Sequence, residues 1–187
     1  MPDWDVVYSE KSIADATPCN VLKENECLLQ SGGVALDFAS GLAGNSVYLS
    51  QKGYEVVAWD KSSIAVNKIN EYAEAENLNL KAEMHDLENK LPDVKNKFDV
   101  VVVSYFLDRE NLRYLFHILK KDGILFYQTF SGEQYQGQGP SRSDFRLKKN
   151  ELLGVFPDME LLFYQEDDCR SDDTRGRQGQ VYFVAKK

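Results

Sequence analysis

The sequence predicts an α/β protein built on a doubly wound, mostly parallel, seven-stranded sheet that ends in an antiparallel hairpin. Short apolar runs typical of buried strands alternate with stretches of helical periodicity from residue 34 onward. A glycine turn, with Gly41 and Gly44, follows the first run directly. The last two apolar runs, 161–166 and 181–186, have no helical pattern between them, so we expect them to pair as a hairpin.

Five strands are predicted before the hairpin, at residues 34–38, 55–59, 78–85, 98–104 and 124–130. The fourth is expected at the centre of the sheet, because its consecutive valines from Val100 to Val103 favour a buried sheet position. Lys81 and Glu83 place the third at an edge, since charged side chains are poorly suited to a strand buried on both faces.

Helices are predicted at 45–52, from Ser62 or Ser63 onward, at 112–121 and at 148–156. The third has apolar residues at offsets of 0, 3, 4 and 7 from Leu112. Lys120 and Lys121 are expected in its last turn, where cations interact favourably with the helix dipole. The polar, glycine-bearing segment 131–144 is predicted to be a mobile loop, long enough to have a function.

Bulk composition narrows the function classes. A chain of 187 residues, 43% of them hydrophobic, is long and apolar enough to fold as one domain, predicted to span residues 1–187. A net charge of −8 disfavours nucleic-acid binding, because a phosphate backbone attracts basic surfaces. The chain is expected to be a monomer or a homodimer.

Targeting signals, cysteines and histidines narrow the expected location of the protein and the kinds of site it can contain. Residues 1–10 show no basic stretch followed by an apolar run, and no segment approaches the ~20 apolar residues of a membrane span, which predicts a cytoplasmic location without membrane contact. Three cysteines without a CxxC motif and two distant histidines give no support for a disulfide scaffold or a metal site. Cys27 is predicted to lie in the core, and Cys169 to be an exposed thiol.

The first glycine turn is the candidate ligand site, because ligands of doubly wound sheets bind beyond the carboxyl ends of the strands. Asp37, Gly41 and Gly44 lie at the end of the first strand, and Asp60 ends the second, where a ribose-binding acid is expected. Ala43 replaces the second glycine of a dinucleotide-binding turn, which disfavours a pyrophosphate ligand. Alternatively, the glycines only form a tight turn and Asp60 caps a helix.

The ends of the third and fourth predicted strands also carry candidate ligand-binding residues. Asp86 is placed to accept a hydrogen bond from an adenine amino group, with the backbone of Leu87 facing the ring, although a helix cap is an equal alternative. Ser104 and Tyr105 close the fourth strand, where a transferred group would lie. An aromatic residue at Tyr105 also fits an ordinary core position.

These motifs resemble those of the class I S-adenosylmethionine-dependent methyltransferases. The first motif of that family runs through Asp37, Gly41 and Gly44, and its later acids match Asp60 and Asp86. More narrowly, the segments 41–45, 104–109, 126–130 and 139–145 look like a bacterial subgroup akin to the tellurite-resistance methyltransferases. Within the subgroup's glycine-rich motif this chain departs at Ala39-Ser40 and at Ala43, and neither change removes a charge.

The resemblance implies a Rossmann-like methyltransferase fold and S-adenosyl-L-methionine as the cofactor. It implies that Asp37 supports the loop that receives the methionine part, that Gly41 comes closest to the cofactor and that Asp60 binds the ribose hydroxyls. The cofactor-binding residues expected on this basis are Asp37, Ser40, Gly41, Gly44, Asn45, Asp60, Lys61, Asp86, Leu87 and Ser104.

The expected activity is methyl transfer to a small-molecule acceptor. A thiol or a chalcogen oxyanion such as tellurite would need no strong base, whereas an oxygen or nitrogen acceptor would use one. The candidate catalytic residues are Tyr105, Tyr127 and Arg142, with Asp108 a further possible base and Arg142 placed to hold an anionic acceptor. Residues 4–12 and the loop 131–144 are expected to cover the acceptor.

Two other functions stay open on the sequence alone. One is a catalytically silent S-adenosylmethionine-binding sensor or partner protein, because no acceptor base is evident. The other is a nicotinamide oxidoreductase, against which Ala43 and the closing hairpin argue.

Overall fold

A computed structural model describes residues 3–167 and 179–187. Within these ranges the strands are β1 (Gly33–Phe38), β2 (Tyr54–Asp60), β3 (Leu80–Met84), β4 (Phe98–Ser104), β5 (Leu119–Phe130), β6 (Glu160–Glu166) and β7 (Gln180–Lys186). The α-helices of the same ranges are α1 (Trp4–Ser9), α2 (Asn20–Glu24), α3 (Gly44–Gln51), α4 (Ser63–Ala75), α5 (Leu112–Ile118) and α6 (Glu151–Val155).

The described strands form a seven-stranded sheet in the order β3-β2-β1-β4-β5-β7-β6. Strands β1 to β5 are mutually parallel, whereas β7 runs antiparallel to both β5 and β6. The predicted mostly parallel sheet with a terminal antiparallel hairpin is therefore confirmed. The strand order reverses between β1 and β4, and this switch point is where doubly wound folds bind their ligands.

Both faces of the sheet are buried, which explains the uninterrupted apolar runs. On β4, Val100 and Val102 contribute to one core, and Val101 and Val103 to the other. Helices α2, α3 and α4 pack on the first face, and α5 and α6 on the second. Complete burial of each valine stabilises the fold by about 1.5–3 kcal/mol relative to exposure.

The prediction that the third helix extends to residue 121 is wrong. Helix α5 stops at Ile118, and Leu119 already belongs to β5, where it is fully buried and pairs with Phe98 of β4. Lys120 and Lys121 therefore lie in the strand rather than in a last helical turn. Sheet pairing outcompetes helix continuation here, because an apolar residue such as Leu119 suits either element.

Two other local predictions are also wrong. Cys27 is exposed, because it lies in the 3-10 turn Glu26–Leu28 rather than against the sheet. Helix α6 is shorter than the predicted 148–156, because Asn150 adopts a left-handed conformation at φ 60° and the helix begins after it. The prediction for Cys169 falls outside the described residues.

The outer edge of β3 is occupied by a side chain. Asn70 of α4 donates a hydrogen bond from Nδ2 to the Ala82 carbonyl (3.1 Å) and accepts one at Oδ1 from the Ala82 N–H (2.8 Å). These bonds confirm that the third strand lies at an edge and satisfy backbone groups that face away from β2. In the part of the chain that the structure describes, none of the helices is apolar enough over a sufficient length to traverse a bilayer.

Candidate active site

A cavity of about 1180 Å³ opens at the carboxyl ends of β1, β2 and β4. Its floor is the turn after β1, residues 39–45, and its sides come from the ends of β2, β3, β4 and β5. The N-terminal segment 4–17 and the loop 131–145 complete the walls. Single ligand sites occupy roughly 300–1000 Å³, so this cavity has room for a nucleoside cofactor together with an acceptor.

Asp37 supports the turn from below. Its carboxylate is fully buried and accepts hydrogen bonds from the Ser46 N–H (3.1 Å), the Ser46 hydroxyl (2.7 Å) and Asn45 Nδ2 (3.0 Å). Burial raises the pKa of Asp37 to about 6, against the effect of these donors. The residue does not itself line the cavity, so its expected role as a support agrees with its position.

Asn45 connects three parts of the site. Besides its bond to Asp37, its Nδ2 donates to Ser104 Oγ at the end of β4 (3.2 Å), and its Oδ1 accepts the Cys19 N–H (2.8 Å). Asn45 and Ser104, both candidates for cofactor binding, line the cavity. The amide thereby fixes the β1 turn relative to β4 across the switch point.

The two glycines of the turn have different requirements. Gly41 has φ 55°, a left-handed conformation that glycine adopts without a steric penalty. A Cβ at Gly44 would lie 2.3 Å from the Thr17 carbonyl oxygen, so the N-terminal segment packs directly against this position. Gly44 therefore allows the N-terminal segment to pack closely against the turn, and it also lines the cavity.

Ser40 carries an unsatisfied hydroxyl next to these glycines. Among the described residues, Ser40 Oγ is one of two buried side-chain polar atoms without a hydrogen-bond partner. Ser40 is 9% exposed and lines the cavity. Buried polar groups are nearly always hydrogen-bonded, so an unpaired hydroxyl in a cavity wall is typical of a position that meets a ligand. This atom and the carboxylate of Asp60 fit a polar cofactor lying over the turn.

The end of β3 differs from the prediction. The exposed Asp86 does not line the cavity, because its carboxylate caps the following turn by accepting bonds from the Glu88 N–H (3.3 Å) and Asn89 Nδ2 (2.6 Å). The cavity wall here is formed instead by Leu87 and by Glu88, whose carboxylate accepts a 2.7 Å bond from Lys61 Nζ. The structure therefore gives no support to an Asp86 contact with adenine.

Helix α1 lies over the glycine turn that forms the floor of the cavity. Trp4 and Tyr8 line the cavity, and their rings are stacked with centroids 5.5 Å apart. Burial, with the nearby Asp60 and Asp37 carboxylates, raises the pKa of Tyr8. A Cβ at Gly41 would lie 3.1 Å from Tyr8 Oη, which places the tyrosine directly above the glycine turn.

Polar contacts with α4 hold this helix in place. Lys68 Nζ donates to the carbonyl oxygens of Tyr8 (2.9 Å) and Ser9 (2.8 Å) at the end of α1, and to that of Lys11 (2.8 Å) just beyond it. Asp5 accepts a 2.5 Å hydrogen bond from Ser62 Oγ at the start of α4. No described residue of α1 is fully buried, so the helix depends strongly on these polar contacts.

Tyr105 follows β4 directly and lies on the wall of the cavity. It has φ 56°, an unusual conformation for a non-glycine residue, and is 52% exposed with its ring on the cavity wall. Its hydroxyl accepts a hydrogen bond from Gln128 Nε2 (2.8 Å) and donates to Gln180 Oε1 (3.3 Å). Burial raises the pKa of Tyr105 above its ordinary value. The hydroxyl is therefore poorly suited to act as a general base.

The other candidate catalytic residues lie in contrasting places. Tyr127 is fully buried outside the cavity lining, and its hydroxyl donates to the Phe106 carbonyl at 2.6 Å, which points to a structural role. Asp108 caps a 3-10 turn and does not line the cavity. Arg142 lines the cavity mouth with a largely exposed side chain, 2.9 Å from Asp144. Exposed ion pairs are weak, so Arg142 can exchange this partner for an anionic ligand.

The sequence did not single out several residues that shape the site. Glu88 gave no signal beyond its charge in a polar segment, and Thr17 approaches the turn only through its backbone. Gln128 looked like one polar residue within an apolar run, although a fully buried glutamine in a central strand indicates a hydrogen-bonded network.

Sheet order, terminal hairpin and the acidic glycine turn together define the fold of the class I S-adenosylmethionine-dependent methyltransferases. The structure of a methyltransferase from Aquifex aeolicus superposes with a TM-score of 0.67 at 19% identity, covering 89% of each chain. The [4+2]-cyclase SpnF also shares the fold, with a TM-score of 0.68 at 15% identity over 98% of this chain and 80% of its own.

Within this class the chain belongs to the TehB family, described as tellurite resistance protein TehB, whose profile matches residues 5–185. TehB of Haemophilus influenzae, named a probable S-adenosyl-L-methionine-dependent methyltransferase, is 27% identical over 188 residues, or 96% of this chain and 59% of the relative. A crystal structure of Haemophilus influenzae TehB superposes with a TM-score of 0.71 at 24% identity, covering 98% of this chain and 67% of its own. The chain thus spans somewhat over half the length of the curated relative.

Proposed function

We propose that this chain binds S-adenosyl-L-methionine and transfers its methyl group to a small molecule with a soft nucleophile, either a thiol or a chalcogen oxyanion such as tellurite. The observation that carries the proposal is the unpaired, buried Ser40 hydroxyl beside Asp60 and Gly41 at the switch point of a TehB-family fold. When bound, the cofactor supplies an activated methyl group that such a nucleophile takes by in-line displacement, which leaves S-adenosylhomocysteine.

The charges of the cavity wall support a cationic cofactor. Glu10, Asp15, Asp60 and Glu88 contribute four carboxylates to the lining, against three cations from Lys11, Lys61 and Arg142. The turn after β1 has no phosphate-binding glycine pattern. In this proposal Asp60 receives the ribose hydroxyls, and Ser40 with the turn backbone holds the methionine part. The end of β4 at Ser104 and Tyr105 then faces the reacting methyl group.

The acceptor side supports a nucleophile that needs no base. Among the described residues, the lining from the ends of β4 and β5 and from the loop includes no histidine and no carboxylate. It consists mainly of apolar and aromatic side chains, including Phe106, Phe130 and Phe145, with Arg142 at the mouth. A thiolate or a tellurium lone pair attacks without proton removal, so here the protein contributes positioning and exclusion of water.

A second candidate is a protein that binds the cofactor without transferring a methyl group. The [4+2]-cyclase SpnF has the same fold, so the fold alone does not define methyl transfer. A cytoplasmic location, a monomeric or homodimeric state and the exclusion of nucleic acid stay predictions from the sequence.

Two measurements separate these functions. Thermal shift should show stabilisation by S-adenosylhomocysteine but not by NAD, since a ligand at about 100 times its Kd adds roughly 2.7 kcal/mol. S-adenosylhomocysteine release is then followed with thiophenol, 2-mercaptoethanol, selenite or tellurite as the acceptor. Turnover with any of them supports the enzyme, whereas binding without turnover across the whole set favours the silent protein. Absence of a shift with S-adenosylhomocysteine contradicts both.

A further inference from the structure

The Arg146 side chain lies buried at the centre of the loop 131–145 and is 3% exposed. Its guanidinium donates to the backbone carbonyl oxygens of Ser131 (2.9 Å), Gly132 (2.9 Å), Glu133 (2.8 Å), Gln138 (3.3 Å), Pro140 (3.4 Å) and Gly179 (3.1 Å). A planar guanidinium has five N–H donors in a fixed fork, so it can bond to several carbonyls around it at once. One side chain thereby ties both limbs of the loop to the start of β7.

The same guanidinium packs on the acceptor side of the cavity. It lies 5.3 Å from the centroid of the Phe130 ring, which lines the cavity and is itself 5.1 Å from the Tyr105 ring. Gly139 packs closely against the same phenylalanine ring, since a Cβ added at this glycine would lie only 2.5 Å from it. Arg146 therefore determines where Phe130 and the loop backbone stand relative to Tyr105.

The ends of the loop are fixed as well. The Gly132 N–H donates to the Leu147 carbonyl, and the Leu147 N–H to the Phe130 carbonyl, both at 2.9 Å. Outside the loop, Arg109 pairs with Glu151 and donates to the carbonyl of Arg146 at 2.6 Å. These bonds anchor residues 131–145, which include the segment 131–144 predicted to be mobile, and three of them, Pro140, Arg142 and Phe145, line the cavity.

We propose that Arg146 is a positioning residue that selects the methyl acceptor by holding residues 131–145 as a fixed wall of the cavity. The inference rests on the proposed methyl transfer, because it concerns the acceptor side of that site. Lysine keeps the charge but has three N–H donors on one nitrogen instead of five in a planar fork, so it can replace only part of these six bonds. Replacement should loosen the wall and leave the cofactor side, formed by other elements, in place.

The test compares Arg146→Lys and Arg146→Gln with the wild type and with Arg113→Lys. Arg113 serves as the control, because its guanidinium also donates to a backbone carbonyl (Val155, 2.6 Å) but its bonds go to Val155 and Asp158 rather than to residues 131–145. Hydrogen exchange of the backbone amides in 131–145 measures how well ordered this segment is. Calorimetry gives the Kd for S-adenosylhomocysteine, and steady-state kinetics give KM and kcat for thiophenol. These readouts separate loop order, cofactor binding and acceptor recognition.

In Arg146→Lys we expect loop exchange to accelerate about tenfold or more and the thiophenol KM to rise by about the same factor, with kcat and the S-adenosylhomocysteine Kd within about twofold of wild type. Arg113→Lys should change none of them. Unchanged loop exchange overturns the inference, as does a variant that only loses thermal stability while its KM stays at the wild-type value. A wild type that binds S-adenosylhomocysteine but methylates no acceptor overturns the proposed function, and loop exchange still decides whether Arg146 anchors the wall.

Discussion

The Asp60 carboxylate accepts a hydrogen bond from the backbone N–H of Gly41 at 2.8 Å, which joins the end of β2 to the glycine turn after β1. Its other oxygen accepts the Ser62 N–H at 2.9 Å, at the start of α4. Burial raises the pKa of Asp60 against these donors. One carboxylate thus orders the turn and the helix start while it lines the cavity.

Replacing Asp60 should therefore weaken cofactor binding. Asp60→Ala removes a charged hydrogen-bond acceptor, worth about 1.5–3 kcal/mol, so the Kd for S-adenosylhomocysteine should rise about ten- to a hundredfold. Asp60→Asn keeps one carbonyl oxygen as an acceptor, so its Kd for S-adenosylhomocysteine should lie between those of Asp60→Ala and the wild type. Calorimetry measures both, with Asp158→Ala as a surface control. A wild-type Kd in folded Asp60→Ala would remove Asp60 from the cofactor site.

Tyr127→Phe should lower stability without changing turnover. Its hydroxyl donates to the Phe106 carbonyl at 2.6 Å, and loss of the donor leaves a carbonyl unpaired, at a cost of about 1–3 kcal/mol in unfolding free energy. Tyr114→Phe is the matched control, since Tyr114 makes an equivalent 2.6 Å bond to the Pro92 carbonyl. Denaturant unfolding and kcat are measured together. A large fall in kcat confined to folded Tyr127→Phe would restore a catalytic role.

Detaching α1 should speed the loss of bound ligand. Lys68→Met removes three donations to carbonyl oxygens at and just beyond the end of α1, a helix in which no described residue is fully buried. The dissociation rate of S-adenosylhomocysteine, followed by tryptophan fluorescence, should rise about tenfold with little effect on the melting temperature. Lys52→Met, which removes an exposed pair with Glu26, should leave the rate unchanged. Equal rates in the two variants would show that α1 does not cover the ligand.

Stability should depend on pH through Asp37. Burial raises its pKa from 3.8 to about 6, so the folded state binds the proton more tightly than the unfolded chain. The resulting contribution is fully present below pH ~4 and is lost as the pH rises through about 6. Between these values the unfolding free energy of the wild type should fall relative to Asp37→Asn by up to about 3 kcal/mol. Urea unfolding from pH ~4 to ~7 checks this, and a difference that is constant with pH would contradict it.

The fold was largely predictable because strand and helix periods are local properties of the sequence. The valines of β4 and the pattern of the last two strands lead to the observed sheet. Leu119 shows the limit, because its apolar side chain suits a helix or a strand, and only pairing with Phe98 decides between them. Periodicity within one segment contains no information about a partner about 20 residues away.

The site was predictable where the chemistry resides in side chains at strand ends, as for Asp37 and Asp60. It was not predictable where backbone atoms act as partners. Arg146 bonds to carbonyl oxygens, which every residue possesses, so nothing in the sequence distinguished it from a solvated arginine. Asp86 and Glu88 are two acids in one polar segment, and only the turn geometry determines which of them faces the cavity.

The bidentate pairing of Asn70 with Ala82 also limits how this protein can assemble. Within the described residues the sheet has two outer strands, β3 and β6. A neighbouring chain that added a strand beside β3 would first have to displace the amide that already bonds to the Ala82 N–H and carbonyl. Growth of a continuous intermolecular sheet is therefore directed to β6.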